Sequence, residues 1–363
     1  MEKTNKILYA ASTQSHLERF HQPYIKALRK TASVFTMANG DHVDFSIPFD
    51  KHFFSFTNLR CILQIRKIIK RERFDSILVH TTLAAFLIRT ALIGIRHRPY
   101  VLNVVHGYLF PKKPKGIKDR ILLLCERFVR GYTDAIAVMN EEDRWIAQQH
   151  HLCRGDVFFL YGMGIPDTAP ISVPDAALQA RLGITPTDFV CTFVGELSQR
   201  KNQSFLIRAA RKLRDANIPI KLLLIGEGSE RSALESEIQS LHLSDTVLLT
   251  GSQTPVYPYL SLTHLYVSAS HSEGLPFNVM EAMACGLPIL ASNTKGQSDL
   301  LSQTPSSLYP PADMDAFCTM AEEIYRSKKY GIGAQSYPIL SNYLLSTVFE
   351  TNMKILTRGI ESL

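Results

Sequence analysis

The sequence predicts an α/β protein made of two similar halves, each a mostly parallel sheet with helices on both faces. Short apolar runs of strand character alternate with amphipathic helical stretches along most of the chain, the rhythm of βαβ units. At 363 residues the chain is long for one core and suits two domains of about 150–200 residues each. A polar stretch that opens at Gly162-Met163-Gly164-Ile165-Pro166 and carries Pro170 and Pro174 interrupts the alternation and reads as an interdomain connection. The expected division is therefore 1–165, 166–340, and a terminal helical segment, 341–363, packing back toward the first domain.

In the first half, residues 6–11 form an apolar run suited to a buried parallel strand. The turn Ser12-Thr13-Gln14-Ser15-His16 opens a helix through Phe20, Tyr24, Ile25 and Leu28. Strands follow at 34–37, 74–80, 100–105, 135–139 and 157–161, with helices at 59–73, 83–95, up to Phe128, and 141–150. The 59–73 helix sets apolar residues at 59, 62, 63, 65, 68 and 69 against Arg60, Arg66, Lys67, Lys70, Arg71 and Arg73, an amphipathic basic helix. In the second half the strands are 189–194, 220–225, 246–250, 265–270 and 288–291. The helices there are 203–216, 229–241, 257–262, 278–285 and 314–328, before the last one at 342–358.

No apolar run approaches the roughly 18–20 residues that span a bilayer, and the N-terminus lacks the pattern of a signal peptide, so a cytoplasmic location is expected. Six cysteines at 61, 125, 153, 191, 285 and 318 never form a C-x-x-C and read as small core residues. The net charge of +7 conceals an asymmetry: residues 1–165 hold 25 Lys+Arg against 14 Asp+Glu, residues 166–363 hold 15 against 19. A basic first half suits an anionic membrane surface, a phosphorylated lipid or nucleic acid.

The chemistry concentrates in 271–288. The strand-like run 265–270 feeds a turn with Glu273-Gly274-Leu275-Pro276, and a small-residue helix with Asn278 and Glu281 follows. A helix beginning near Pro276 offers free N–H groups and a positive dipole end to a phosphate, and Glu281 lies about five residues, ~7.5 Å, further along. Taken singly, Glu273 suits a helix-entry carboxylate and Glu281 a solvated helix position; in combination they flank an anion-binding turn. A second cluster follows the strand 191–194: Gly195, Glu196, then Arg200 and Lys201. Cations at the C-terminal edge of the first strand of a parallel sheet sit where such sheets bind ligands, and the pair can neutralise a diphosphate. Asp313-Met314-Asp315 has the D-x-D pattern of some metal sites, but it opens a helix after two prolines, where capping explains it.

The segment from Glu273 to Pro288 resembles the E-x7-E signature of retaining glycosyltransferases of family 4, with Glu273 and Glu281 as the two carboxylates. The resemblance extends to Gly195–Asn202, similar to the family's G-R-L-x-x-x-K-G element with Glu196 in place of its arginine. It continues at Gly226-Glu227-Gly228, similar to the I-G-x-G turn that shapes the nucleotide pocket. Val105-His106-Gly107 resembles the strand-end histidine near the transferred sugar, and Ser12–His16, including Thr13, occupies the donor-loop position without its glycines. The resemblance implies the GT-B fold, two Rossmann-like doubly wound domains facing a cleft, and retaining transfer from a nucleotide diphosphate sugar, expected to be a UDP-sugar. It implies that Arg200, Lys201 and the helix N-terminus with Gly274, Leu275, Pro276 and Asn278 hold the diphosphate. It gives Glu273 the sugar hydroxyls, Glu281 the ribose, and His106 the orientation of the sugar. No cofactor and no metal are expected. Together with the basic first half, it suggests a lipid-linked saccharide acceptor at the inner face of the cytoplasmic membrane, as in capsule and exopolysaccharide assembly. Two rivals stand beside it. An NAD-dependent nucleotide-sugar-modifying enzyme should show a glycine fingerprint after the first strand, where Ala11-Ser12-Thr13-Gln14 stands. A non-catalytic basic protein for nucleic acid should carry a compact recognition motif, and none is present.

Overall fold

A computed structural model describes residues 5–50, 52, 53, 55–167, 174–304, 307–331 and 333–361; Pro170 of the expected connection lies outside them. The strands are β1 Lys6–Thr13, β2 Ser33–Asn39, β3 Phe45–Ser46, β4 Ser76–His80, β5 Tyr100–Val105, β6 Ala135–Val138, β7 Val157–Phe159, β8 Phe189–Val194, β9 Ile220–Ile225, β10 Val247–Gly251, β11 Leu265–Ser268, β12 Ile289–Ser292 and β13 Ser307–Tyr309. The helices are α1 Gln14–Phe20, α2 Gln22–Leu28, α3 Phe56–Glu72, α4 Thr82–Ala91, α5 Ile117–Val129, α6 Glu141–Gln149, α7 Ala176–Arg181, α8 Gln203–Asp215, α9 Arg231–Ser240, α10 Tyr257–Leu260, α11 Phe277–Ala284, α12 Gln297–Leu301, α13 Met314–Ser327 and α14 Leu345–Glu361.

The chain forms two compact units, one of Met1–Gly164 with Leu345–Leu363 and the other of Ile165–Leu344. The first has a seven-stranded sheet in the order β3-β2-β1-β4-β5-β6-β7, the second a six-stranded sheet in the order β10-β9-β8-β11-β12-β13. Every named strand pair is parallel. Strand centres are accordingly buried on both faces, as in Ile7-Leu8-Tyr9-Ala10 and Leu222-Leu223-Leu224. In each sheet the order reverses once, between β1 and β4 and between β8 and β11. That crevice at the carboxyl ends of the strands is where open α/β sheets take ligands.

Helix α14 belongs to the first unit. Asn352 donates from its amide to the Tyr24 hydroxyl at 2.8 Å and the Gly162 carbonyl at 2.9 Å, Phe349 stacks on Tyr24, and Leu356 is buried.

Several expectations change. The first strand runs on to Thr13, and the helix after it breaks in two at His21, because Pro23 cannot continue a helical hydrogen-bond ladder. In α3 the inward row is Asn58, Cys61, Ile65, Ile68 and Ile69. Leu59 and Leu63, expected on the apolar inner face, instead point outward with Phe56. The elements β3, α7, α12 and β13 are too short to show a periodicity of their own. All six cysteines are free thiols; Cys61, Cys191 and Cys318 are buried, whereas Cys125, Cys153 and Cys285 are only half-buried.

Candidate functional site

In the second unit the loops after β8, β9, β11 and β12 are stitched side by side at the switch point. Leu197 N–H donates to the Glu227 carbonyl at 2.9 Å, His271 N–H to the Arg200 carbonyl at 2.9 Å, and Glu273 N–H to the Lys295 carbonyl at 3.0 Å. Glycine permits the closest approach. Gly226 has φ +151°, and a Cβ there would lie 1.9 Å from the Gly195 carbonyl oxygen, a backbone position only glycine occupies without strain. Gly195, Gly226 and Glu227 thus lie together in these loops; the Glu227 carboxylate accepts from Arg231 at 2.6 Å.

Within this frame Glu273, Lys201 and Arg200 form one ion cluster. Lys201 Nζ lies 2.6 Å from Glu273 Oε1 and Arg200 Nη1 lies 2.8 Å from Oε2. Arg200 also donates to the Ser272 carbonyl at 2.8 Å. Glu273 is 6% exposed and Lys201 7%, so neither is a solvated surface charge. Burial pushes the Glu273 carboxyl up, but the Lys201 and Arg200 charges outweigh it and hold the group below the usual carboxylate range. For Lys201, burial wins over the pull of Glu273, and its ammonium sits below its ordinary range. The two cations that the sequence assigns to a diphosphate therefore have a carboxylate between them.

Gly274, Leu275 and Pro276 form the turn into α11, with Pro276 at its N-cap and no acidic residue in the first turn. Asn278, also assigned to the ligand, has its amide committed to the fold: it donates to the Val194 carbonyl at 2.5 Å and to the Tyr266 hydroxyl at 2.8 Å. It anchors α11 to β8. Glu281 lies one turn on, near Tyr257 and Cys285. Burial, with Glu281 behind it, pushes the Tyr257 phenol up to about 12 and the Cys285 thiol up to about 11. The D-x-D pair serves structure: Asp313 caps α13 by accepting from Ala316 N–H at 2.9 Å, and Asp315 pairs with Lys212 of α8.

In the first unit His106 follows β5, at the carboxyl edge of that sheet. Thr13, the N-cap of α1, is exposed and its hydroxyl accepts from Ser15 at 3.3 Å. Around His106 stand three histidines that sequence reasoning did not select: His16 on α1, His21 between α1 and α2, and His80 at the end of β4. His80 Nδ1 lies 3.2 Å from His106 Nε2, and the Tyr9 hydroxyl 2.9 Å from His21 Nδ1. Burial lowers all four imidazoles below their ordinary range, His16 to about 4. The signal available in the sequence was positional: His80 and His106 each stand at or just past the end of an apolar run.

Known proteins resemble this chain in sequence and in fold. Residues 175–330 match the family model of glycosyl transferases group 1. The chain is 29% identical over 334 residues to the putative glycosyltransferase EpsD of Bacillus subtilis, covering 89% of this chain and 88% of that one. It is 25% identical over 268 residues to the UDP-Gal:alpha-D-GlcNAc-diphosphoundecaprenol alpha-1,3-galactosyltransferase of Escherichia coli, covering 72% and 68%. Among solved structures, Anabaena HepE, crystallised with UDP and glucose, superposes with a TM-score of 0.77 over 98% of this chain and all of that one, at 17% identity. The chain has the GT-B fold, and its residues 175–330 are similar to the glycosyl transferases group 1.

Proposed function

We propose that the protein transfers a hexose or N-acetylhexosamine, with retention, from a UDP-sugar to a hydroxyl of a lipid-linked saccharide in capsule or exopolysaccharide assembly. The observation that carries this reading is the Lys201–Glu273–Arg200 cluster at the β8/β11 switch point, beside the N-terminus of α11. A departing diphosphate needs fixed positive charge. Two cations with one carboxylate leave a net +1, to which the helix end adds roughly +0.5. Glu273 has oxygens for sugar hydroxyls while it keeps Lys201 charged, Glu281 is assigned to the ribose, and His106 to orienting the sugar. No metal is required at the diphosphate. UDP in the HepE crystal and the donor and acceptor in the name of the E. coli relative support the substrate classes.

A peripheral position at the cytoplasmic face of the membrane is supported by the outer surface of the first unit. Among the described residues no helix is long and apolar enough to cross a bilayer. Instead, α5 points Ile117, Leu124 and Phe128 outward at 80%, 66% and 64% exposure, and α3 points out Phe56, Leu59 and Leu63. Arg60, Lys67, Lys70, Arg71, Lys112, Lys113 and Arg127 flank these stripes. A groove of about 560 Å³ lined by Phe86, Leu124, Cys125, Phe128, Arg127 and Arg130 lies against α5. Apolar side chains ringed by cations suit an interfacial surface of anionic lipid.

The deciding experiment screens UDP-sugars for slow hydrolysis and repeats the active one with Glu273→Ala and Lys201→Ala. Lys201→Ala should lose about 10²–10³ in rate, the usual effect of removing one oxyanion-stabilising donor, and Glu273→Ala should lower the rate by removing the acceptor for the sugar hydroxyls; unchanged turnover in both would overturn the site. Thermal shift with UDP, NAD and an oligonucleotide separates the rival classes, since only UDP should stabilise. Flotation with anionic liposomes should weaken when the lysines at 112, 113, 115 and 118 are neutralised together with the α3 cations.

A further inference from the structure

The carboxyl edge of the first sheet gathers four imidazoles at its own switch point, and sugar transfer engages only one of them. His21 and His80 have ring centroids 4.0 Å apart, His16 and His106 4.8 Å, and His16 and His21 5.0 Å. One ring nitrogen from each of His16, His21 and His106 lies within 4.8 Å of the other two. The Nε2 atoms of His16, His21 and His80 are buried and have no hydrogen-bond partner among the described residues. A core histidine kept for packing satisfies both nitrogens; unmatched nitrogens on His16 and His21, two of the three converging rings, do not fit that role. The opposite nitrogen of His21 is held by Tyr9 at 2.9 Å, and His106 is held through Nε2 by His80 at 3.2 Å. A lone pair facing a common point, with the other ring nitrogen fixed by an oriented neighbour, is how proteins present imidazole to a metal.

We propose that His16, His21 and His106 bind one divalent transition-metal ion of the class that prefers imidazole, with Tyr9 and His80 as positioning residues. Three nitrogen ligands and an open fourth position match the ligand count of three-histidine zinc sites. The set holds no oxygen ligand, which disfavours magnesium, calcium and manganese. Bonds of about 2.0–2.1 Å need the nitrogens closer than they stand, so the rings rotate inward on binding. His16 and His106 keep part of their surface open, which gives the ion a way in. The ion ties the α1–α2 corner to the end of β5. His106 is the one ligand that the sugar-transfer reading also uses, whereas His16 and His21 are not part of it; because the test reads the metal directly, failure of the metal site and failure of that reading are told apart.

The test is titration of the full chain, stripped with EDTA and dialysed, with Co(II). The expected result is one saturable equivalent with a visible d–d band, displaced by Zn(II). His16→Ala and His21→Ala should each weaken binding at least 100-fold. Tyr9→Phe, which keeps all ligands and loses only the orienting hydroxyl, should weaken it by about 10-fold. His151→Ala, away from the cluster, should leave binding unchanged. Lack of a saturable site in the unaltered chain would overturn the proposal whatever the variants do. So would a site that survives in the folded double variant of His16 and His21, shown folded by its Trp145 fluorescence.

Discussion

Glu273 has a structural duty that can be measured apart from turnover. In Glu273→Gln the carboxylate that faces Lys201 at 2.6 Å disappears, and an ammonium only 7% exposed loses its buried counter-charge beside Arg200. Leaving one partner of a buried pair unpaired costs about 3–5 kcal/mol. A ceiling comes from proton release: from an ordinary lysine near 10.4 down to pH 7, at 1.36 kcal/mol per pH unit, neutralising Lys201 costs about 4.6 kcal/mol. That ceiling falls as pH rises. Lys201 already lies below its ordinary range, and loss of Glu273 lowers it further, so the unfolded chain binds the extra proton and stability rises with pH. The destabilisation should therefore shrink by up to about 1.4 kcal/mol per unit between pH 7 and 9, leaving roughly 2 kcal/mol at pH 9. The chain has one tryptophan, Trp145, in the first unit. Urea unfolding followed by far-UV dichroism, with the Trp145 fluorescence phase set aside, isolates the second unit. Adding Lys201→Met should remove the pH dependence and recover most of the loss. A destabilisation that stays flat from pH 7 to 9, or below about 1 kcal/mol throughout, would show that Lys201 does not depend on Glu273 and refute the reasoning.

His16, lowered by burial to about 4, should destabilise the first unit in acid. The unfolded chain binds its proton first, so stability is full above pH 6.5 and drains as pH falls toward 4. By pH 5 the loss from this group alone is about 2 kcal/mol, read by Trp145 fluorescence in urea with EDTA present; His16→Gln should be flatter over pH 7–5. Arg89 and Glu126 pair bidentately at 3.0 Å, with side chains 0% and 4% exposed, so Glu126→Gln should cost about 3–5 kcal/mol while the double change Arg89→Met with Glu126→Leu costs far less. Gly226→Ala sets a Cβ 1.9 Å from the Gly195 carbonyl oxygen at a positive φ; it should weaken UDP binding by thermal shift, and an unaltered shift would mean that the loops yield without loss.

What the sequence made legible is what local pattern controls. Alternating strands and helices are local, and so is the turn from Glu273 to Glu281, where strand, Gly-Leu-Pro and helix follow within a few residues. The ion cluster was not legible as a cluster. Arg200 and Lys201 are separated from Glu273 by more than seventy residues, and only the adjacency of β8 and β11 brings them to one carboxylate. His16, His80 and His106 are likewise scattered, and the order β1-β4-β5 collects them. Leu59 and Leu63 were misplaced for another reason: with apolar residues on both sides of α3, composition alone cannot say which row faces the sheet. The buried row is the one that includes Asn58, whose amide donates to the carbonyls of Asp50 and His52. A polar residue decided it.

The charge balance at the second unit's switch point explains why its cations and carboxylate occur together. Arg200 and Lys201 without Glu273 would set two like charges side by side in a loop, one of them buried, and the buried one would tend to give up its proton. Glu273 keeps Lys201 an ammonium, and in doing so it reduces the positive charge left for a phosphate to about that of one cation. The deficit must be met by groups that carry no proton to lose. The first-turn amides of α11, with no acidic side chain among them, are such groups, and Asn278 fixes their position by anchoring the helix to the Val194 carbonyl and the Tyr266 hydroxyl. Asn278→Ala would then weaken diphosphate binding without touching the ligand, because it frees the helix end rather than removing a contact. Asn278→Asp should do so more strongly, since it sets a carboxylate near the same amides and presents an acceptor where Val194 also accepts.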